Sequence, residues 1–157
     1  MSLVKIHRVR HRIAAKLRTG ASISVPTALK GAQARVKTLE PVLLAAIEAE
    51  FGVLDEAFLA LRGGDAAGVA ALYETADRLV GLAAAAPRLA GLGKAALSLC
   101  DLLDSLAGAV PDDLRPIAVH IDALRILRGD TPERDQLVVL GGLAKLRGRY
   151  AAAPAGG

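Results

Sequence analysis

Apolar residues recur every three or four positions from Pro26 to about Arg147, and no stretch alternates apolar and polar residues as a half-buried strand would. Turn and stop signals divide this pattern into segments of helical length, at Gly63-Gly64, Pro87, Gly108 and Gly129. The pattern therefore predicts helices throughout and no strand, which is an all-α fold.

The first apolar pattern covers residues 26–61, and Pro41 interrupts it by removing one backbone N–H. The sequence leaves open whether this stretch is one kinked helix or two helices. Short turns and one-sided apolar faces favour antiparallel neighbours. We therefore expect an antiparallel up-and-down four-helix bundle with an additional N-terminal helix. A basic arm at residues 1–25 precedes the helical domain at residues 26–150, and a disordered tail follows at residues 151–157.

Local signals predict how the later helices begin and which residues they bury. Asp65, Asp112 and Thr131 are the expected N-caps, because their side chains can accept a hydrogen bond from a free backbone N–H. The helix after Asp65 is expected to bury a stripe that consists of Val69, Leu72, Tyr73, Ala76, Leu79, Val80 and Ala83. Gly141-Gly142 falls inside a helical pattern, which predicts the close approach of another helix there.

The composition narrows the classes of protein further. The apolar fraction is 53%, but only 3% of the residues are aromatic, and no uncharged run reaches the roughly 18 residues of a membrane span. No apolar segment of a secretory signal follows the basic N-terminus, so we expect a cytoplasmic protein. No glycine-rich nucleotide loop and no metal-ligand motif is present. We therefore expect no metal and no cofactor.

The net charge of +4 is unevenly distributed. The first 18 residues contain no acidic residue and six basic ones, namely Lys5, Arg8, Arg10, Arg12, Lys16 and Arg18. Such an arm can bind an anionic surface, either nucleic acid phosphates or acidic lipid headgroups. The simpler interpretation, which we favour, is a solvated tail that keeps the protein soluble. The arm has no aromatic residue to stack on the bases of single-stranded nucleic acid.

The stretch Glu74–Asp104 carries a pattern with a known counterpart. It contains Ala76-Asp77-Arg78-Leu79-Val80-Gly81, followed by Leu92-Gly93 and Leu99-Cys100. This pattern resembles the core of histidine phosphotransfer (HPt) domains, which are helical bundles that exchange a phosphoryl group with receiver domains. The family's phosphorylatable His falls on Asp77 and its Lys on Val80, whereas its Gly is retained as Gly81.

The resemblance implies the HPt scaffold without the HPt reaction. A lone carboxylate at Asp77 does not replace the His, because phosphorylation of an aspartate needs a bound divalent metal in an acidic pocket. The resemblance implies binding of a receiver domain or a histidine kinase without accepting phosphate. It therefore also implies no enzymatic activity and no small-molecule substrate. The partner-binding face would consist of Asp77, Arg78, Gly81 and Lys94. The layout of the chain also resembles the small CheE-type proteins of bacterial chemotaxis. Self-association as a homodimer is left open.

Three residues have alternative interpretations. His120 is a candidate phosphoacceptor relocated to another helix, and the simpler interpretation is a structural histidine at the edge of the core. Cys100 cannot form an intrachain disulfide, because it is the single cysteine, and it is expected to be a small buried hydrophobe. Asp77 lies about 100° around the helix from Ala76, so we expect it at the edge of the buried stripe. Its simpler role is that of a surface carboxylate beside Arg78, or of one partner in an ion pair with Arg88 or Lys94.

Overall fold

The computed structural model describes residues 25–151, with the backbone alone described for residues 25–29, 31–37 and 151. Within that range the chain forms five α-helices and one 3₁₀-helix, and no strand. The helices are α1 (Val25–Arg62), α2 (Ala67–Ala83), the 3₁₀-helix (Pro87–Leu89), α3 (Ala90–Ser105), α4 (Arg115–Leu127) and α5 (Glu133–Ala151). The all-α prediction is confirmed for these residues. The predicted basic arm up to residue 24 and the predicted tail from residue 152 lie outside them.

The pattern of contacts divides the chain into two units, Met1–Pro41 and Val42–Gly157. Helix α1 is one continuous helix with Pro41 inside it, so the sequence at residues 26–61 forms one helix and not two. In the first unit the described residues are helical. The second unit contains the rest of α1 and the elements that follow it.

The core of the second unit is built from aliphatic side chains, each of which contributes about 1.5–3 kcal/mol when it is fully buried. Helix α3 packs against α2, α4 and α5, and α4 also packs against α5. Helix α5 adds one buried residue to this core, Leu143. The largest fully buried side chains are Ile47, Leu54, Leu61, Leu72, Leu79, Leu89, Leu92, Leu99, Ile117, Ile121, Leu124 and Leu127.

Two glycines allow α2 to lie close to its neighbours. A Cβ added at Gly68 would be 2.8 Å from the carbonyl oxygen of Ala57 and 2.8 Å from the backbone nitrogen of Leu61, both on α1. A Cβ at Gly93 on α3 would be 3.2 Å from the Cβ of Ala83 on α2. Helix α2 is therefore held between α1 and α3 by contacts that a larger residue would disturb.

The prediction of a close helix approach at Gly141-Gly142 is wrong. A Cβ added at either residue would meet nothing within 4 Å, and both residues are exposed on α5. These glycines lie on the outer side of α5, because this helix packs through Leu143, the next residue along the chain.

Asp65 caps α2 as predicted, because its Oδ1 accepts a hydrogen bond from the Ala67 N–H at 2.9 Å. The prediction that Asp112 caps α4 is wrong, since Asp113 Oδ1 accepts the bond from the Arg115 N–H at 3.0 Å. In both helices the capping carboxylate accepts its hydrogen bond from the backbone N–H two residues further along the chain.

The prediction that Thr131 caps α5 is also wrong. The Thr131 hydroxyl donates to the carbonyl of Ile126 at 2.7 Å, so it serves the end of α4 instead. The carbonyl groups in the last turn of a helix lack hydrogen-bond donors within the helix, and the Thr131 hydroxyl is the donor for one of these carbonyls. At the start of α5, the N–H groups of Asp135 and Gln136 donate to the Pro132 carbonyl.

Among the described residues, no helix combines the length and the apolar character that are needed to span a bilayer.

Candidate functional site

The segment that resembles the HPt core forms a helical hairpin. Helices α2 and α3 pack against each other, joined by a turn and the 3₁₀-helix at Pro87–Leu89. The buried side of α2 carries Leu72, Ala76 and Leu79, all at 0% exposure. Tyr73 was expected in this stripe, and that expectation is wrong, because Tyr73 is 37% exposed. It lies at the margin of the stripe, where a tyrosine can bury its ring edge and keep its hydroxyl in water.

Asp77 and Gly81 lie one turn apart on α2, and both are exposed. The position of Asp77 at the edge of the buried stripe is what the helical geometry predicts. Within the described part of the chain, Asp77 makes no hydrogen bond and no ion pair, so the pairing with Arg88 or Lys94 is not observed. The Asp77 carboxylate is therefore available at the surface.

Arg78 is directed towards α1 and not towards the surface around Asp77. Its Nε donates to Glu50 Oε2 at 2.9 Å, and its guanidinium also donates to the Thr75 hydroxyl at 3.1 Å. Thr75 is fully buried, and its own hydroxyl donates to the Ala71 carbonyl at 2.7 Å. The main role of Arg78 in the fold is thus to connect α2 with α1.

Lys94 lies on α3 and is exposed. It lines a shallow depression between α3 and α5, together with Leu97, Ser98, Asp101, Leu140, Leu143, Ala144 and Arg147. The structure thus brings Asp77 and Gly81 together, whereas Arg78 contacts α1 and Lys94 borders α5.

His120 is fully buried, and both of its ring nitrogens are hydrogen-bonded. Nδ1 is 2.7 Å from the Pro116 carbonyl oxygen, and Nε2 is 3.1 Å from Ser98 Oγ on α3. Because a carbonyl can only accept, we assign the ring proton to Nδ1, and Nε2 then accepts from the Ser98 hydroxyl. Burial lowers the pKa of His120, the bond to Pro116 opposes this effect, and the charge of Arg147 lowers the pKa further.

The Ser98–His120 pair has the hydrogen bond of a serine nucleophile with its base. Ser98, however, lies in the interior of α3, where backbone N–H groups are bonded within the helix. No N–H there is free to stabilise an oxyanion, which acyl transfer requires. The pair therefore serves as a polar connection between α3 and α4. His120 lies inside the core and not at its edge, where the simpler interpretation placed it.

Cys100 is buried on α3, as predicted. Burial raises the pKa of its thiol to about 11, and the nearby carboxylates of Asp77, Asp104 and Asp101 raise it as well. The thiol is therefore protonated at neutral pH, and Cys100 has the properties of a small hydrophobe and not of a nucleophile.

An open groove of about 430 Å³, which the sequence did not predict, lies between α2 and the end of α3. Its lining consists of Ala66, Val69, Ala70, Tyr73, Glu74, Leu103, Asp104, Ala107 and Gly108. The pKa of Tyr73 is raised, first by the Asp104 carboxylate and then by burial, Cys100, Asp77 and Asp101. The feature of the sequence that could have indicated negative charge near this groove is the pair of carboxylates at Asp101 and Asp104, one turn apart on α3. Which residue of α2 they approach depends on the packing of the two helices.

Among the described residues, no group of three or more His, Cys, Asp or Glu side chains could hold a metal ion. No protein-family model matches the chain, and no curated protein and no solved structure matches it either.

Proposed function

We propose that this chain is a non-catalytic, HPt-like interaction module of bacterial two-component or chemotaxis signalling. It binds a receiver domain or a histidine kinase without accepting phosphate. The additional N-terminal helix that we expected is not a separate element, because α1 is continuous from Val25 to Arg62. In this proposal the second half of α1 forms an antiparallel up-and-down four-helix bundle with α2, α3 and α4, and α5 is a further helix. Because such partners act in the cytoplasm, the proposal places the chain there too.

The observation that carries this proposal is the exposed pair of Asp77 and Gly81 on α2. A Cβ added at Gly81 would meet nothing within 4 Å, so packing inside the chain does not require a glycine at this position. A glycine inside a helix costs about 0.5–1 kcal/mol relative to alanine. The approach of a partner to the turn beside Asp77 gives a reason for that cost, as it does in HPt domains.

The chemistry at this position supports binding over phosphotransfer. Asp77 offers a carboxylate where the HPt reaction needs an imidazole nitrogen, and Val80 offers no positive charge to hold a phosphoryl group. Carboxylates at an interface favour specificity and rapid association with a basic partner surface. The residues present thus fit a scaffold or a competitor for the receiver.

The alternative is an active phosphotransfer protein that uses His120. In the structure this ring is at 0% exposure, and its two nitrogens are bonded to Pro116 and Ser98. A phosphoacceptor must present one free nitrogen to the phospho-aspartate of another protein. His120 would have to leave its position in the core to do so, which weighs against this alternative.

A binding experiment tests the proposed face directly. Purified receiver domains and histidine kinases of the source organism are titrated with the wild-type chain and with the variants Gly81→Leu and Gly52→Leu. Gly52 is the matched control, because it is an exposed helical glycine with nothing within 4 Å of an added Cβ. We expect Gly81→Leu to weaken binding at least tenfold and Gly52→Leu to change it less than twofold. Equal effects of the two variants, or no binding partner in the set, would contradict the proposal.

A second experiment separates binding from phosphotransfer. The chain is incubated with a receiver domain that carries a labelled phosphoryl group, and the acid and base stability of any label on the chain is measured. We expect no label on the chain. A base-stable label that His120→Ala removes would establish the alternative in place of the proposal.

A further inference from the structure

The groove between α2 and the end of α3 combines an apolar floor with a negative rim. Val69 and Leu103 are buried at its base, and Tyr73 is partly exposed at its side. Glu74 and Asp104 line it as well, and both are exposed. No basic side chain is among the lining residues.

The negative charges of the two rim carboxylates are only weakly paired with positive charges elsewhere in the described part of the chain. Asp104 makes no ion pair with another described residue. The Arg78 guanidinium lies 4.0 Å from the Glu74 carboxylate and is closer to that of Glu50, at 2.9 Å. An exposed, weakly paired carboxylate contributes little to stability, so the fold gains little from this arrangement.

The surroundings of the groove reinforce its negative charge. Asp77 lies one turn from Tyr73 on α2 and adds a negative charge beside the groove, whereas Asp101, one turn from Asp104 on α3, is paired with Arg147. The whole unit Val42–Gly157 contains 15 acidic and 11 basic residues, a net charge of −4. An occupant of the groove must therefore carry positive charge to match it.

We propose that this groove binds a basic peptide segment of the protein partner, with one Arg or Lys side chain lying along Val69 and Leu103 and its charge between Glu74 and Asp104. The proposal rests on the proposed function and specifies its partner further, because Tyr73 and Asp77 lie one turn apart on the same helix.

The chemistry of the groove favours a side chain with an apolar stem and a cationic end. The stem of Arg or Lys can lie on apolar surface while its charge stays near water. A guanidinium can also bond both oxygens of a carboxylate and pack against the ring of a tyrosine. The groove offers an apolar surface at Val69, a carboxylate at Asp104 and an aromatic ring at Tyr73.

Tyrosine fluorescence can report on this groove. The chain has no Trp and two Tyr, so the variant Tyr150→Phe leaves Tyr73 as the only tyrosine. The full chain with this change is titrated with an eight-residue capped peptide that alternates Ala and Arg, and separately with its Ala-Glu counterpart. We expect a saturable change in fluorescence with the Arg peptide and none with the Glu peptide.

Two double variants separate a specific site from general charge attraction. Glu74→Gln with Asp104→Asn removes two charges at the groove. Glu56→Gln with Asp130→Asn removes two exposed charges elsewhere. We expect the first pair to raise the Kd of the Arg peptide at least tenfold and the second pair to raise it less than threefold. If both pairs raise the Kd equally, the attraction is general and the proposal is overturned.

The remaining outcomes identify other occupants and keep the two proposals apart. Sedimentation velocity that shows a dimer, which the Glu74 and Asp104 changes dissociate, would assign the groove to a second copy and overturn the proposal. The peptide titration contains no receiver domain, so its result does not depend on receiver binding. If receivers bind in a Gly81-dependent manner and the peptide does not bind, the groove proposal fails and the proposed function stands.

Discussion

The burial of His120 should make the stability of the fold depend on pH, and this dependence can be measured. Its folded-state pKa is lowered below the ordinary value of 6.5, chiefly by burial. The unfolded chain therefore binds a proton more readily than the folded chain once the pH falls below about 6.5. The contribution of His120 to the free energy of unfolding is therefore fully present at neutral pH. It is lost as the pH falls from 6.5 towards the folded-state pKa, by at most about 1.4 kcal/mol per pH unit.

The measurement is urea unfolding of the wild type and of His120→Gln at pH 7.5 and pH 5.5. We expect the wild type to lose more free energy of unfolding between the two pH values than the variant, because the carboxylates contribute equally to both. Arg147→Gln removes a nearby positive charge and should reduce the pH dependence of the wild type. Identical losses in the wild type and His120→Gln would show that His120 does not titrate in this range.

Some residue-level features followed from the sequence, and others did not. The 3.6-residue period alone predicted the burial of Cys100 and the position of Asp77 at the edge of the buried stripe. The partners of His120 were not predictable, because Ser98 lies 22 residues away on another helix. Likewise, whether Asp112 or Asp113 caps α4 depends on where that helix begins, which the sequence determines only to within a few residues.

At the scale of elements, the close packing of α2 on α1 depends on Gly68. A Cβ there would lie 2.8 Å from backbone atoms of both Ala57 and Leu61, which cannot move aside as a flexible side chain could. We expect Gly68→Ala to lower the free energy of unfolding by about 2 kcal/mol, the usual range for overpacking being about 1–3 kcal/mol. Chemical denaturation measures this change.

Gly52→Ala is the control for that experiment, because nothing lies within 4 Å of a Cβ at this position on α1. Alanine has the higher helix propensity, so we expect Gly52→Ala to raise the free energy of unfolding by about 0.5–1 kcal/mol. If Gly68→Ala also stabilised the chain, α2 and α1 could not be as close in solution as they are in the structure.

The helices themselves were largely predictable, and their arrangement was not. Periodicity and stop signals such as Gly64, at φ +87°, are local features, and they predicted the order of the elements. The contacts between helices join residues far apart in the chain. Asp55 on α1 pairs with Arg125 on α4, and Glu48 pairs with Arg128 at 2.8 Å. No periodic pattern specifies which of several apolar faces meet, so these pairs required the structure.

At the scale of the whole molecule, charge is divided along the chain. The segment Met1–Pro41 carries nine basic residues and one acidic residue, a net charge of +8, whereas Val42–Gly157 has a net charge of −4. Charge of this kind governs association and solubility and does not determine the fold. The acidic second unit is consistent with a basic protein partner. The six basic residues before Thr19 begin the longest run of one sign in the sequence, which ends before Glu40.

The role of that basic run can be tested by its dependence on salt. If all six basic residues of the first 18 contact phosphates, the logarithm of the DNA-binding constant should fall with the logarithm of salt concentration with a slope of about −5. Changing all six to Gln keeps the length of the chain, brings its net charge from +4 to −2 and should abolish binding. Fluorescence anisotropy with labelled duplex DNA, and sedimentation with acidic vesicles, measure both effects. A cationic surface that contacts phosphates necessarily releases their counterions, so binding through this segment must be strongest at low salt. If the wild type does not bind even at low salt, the role that remains for this segment is that of a solubilising tail.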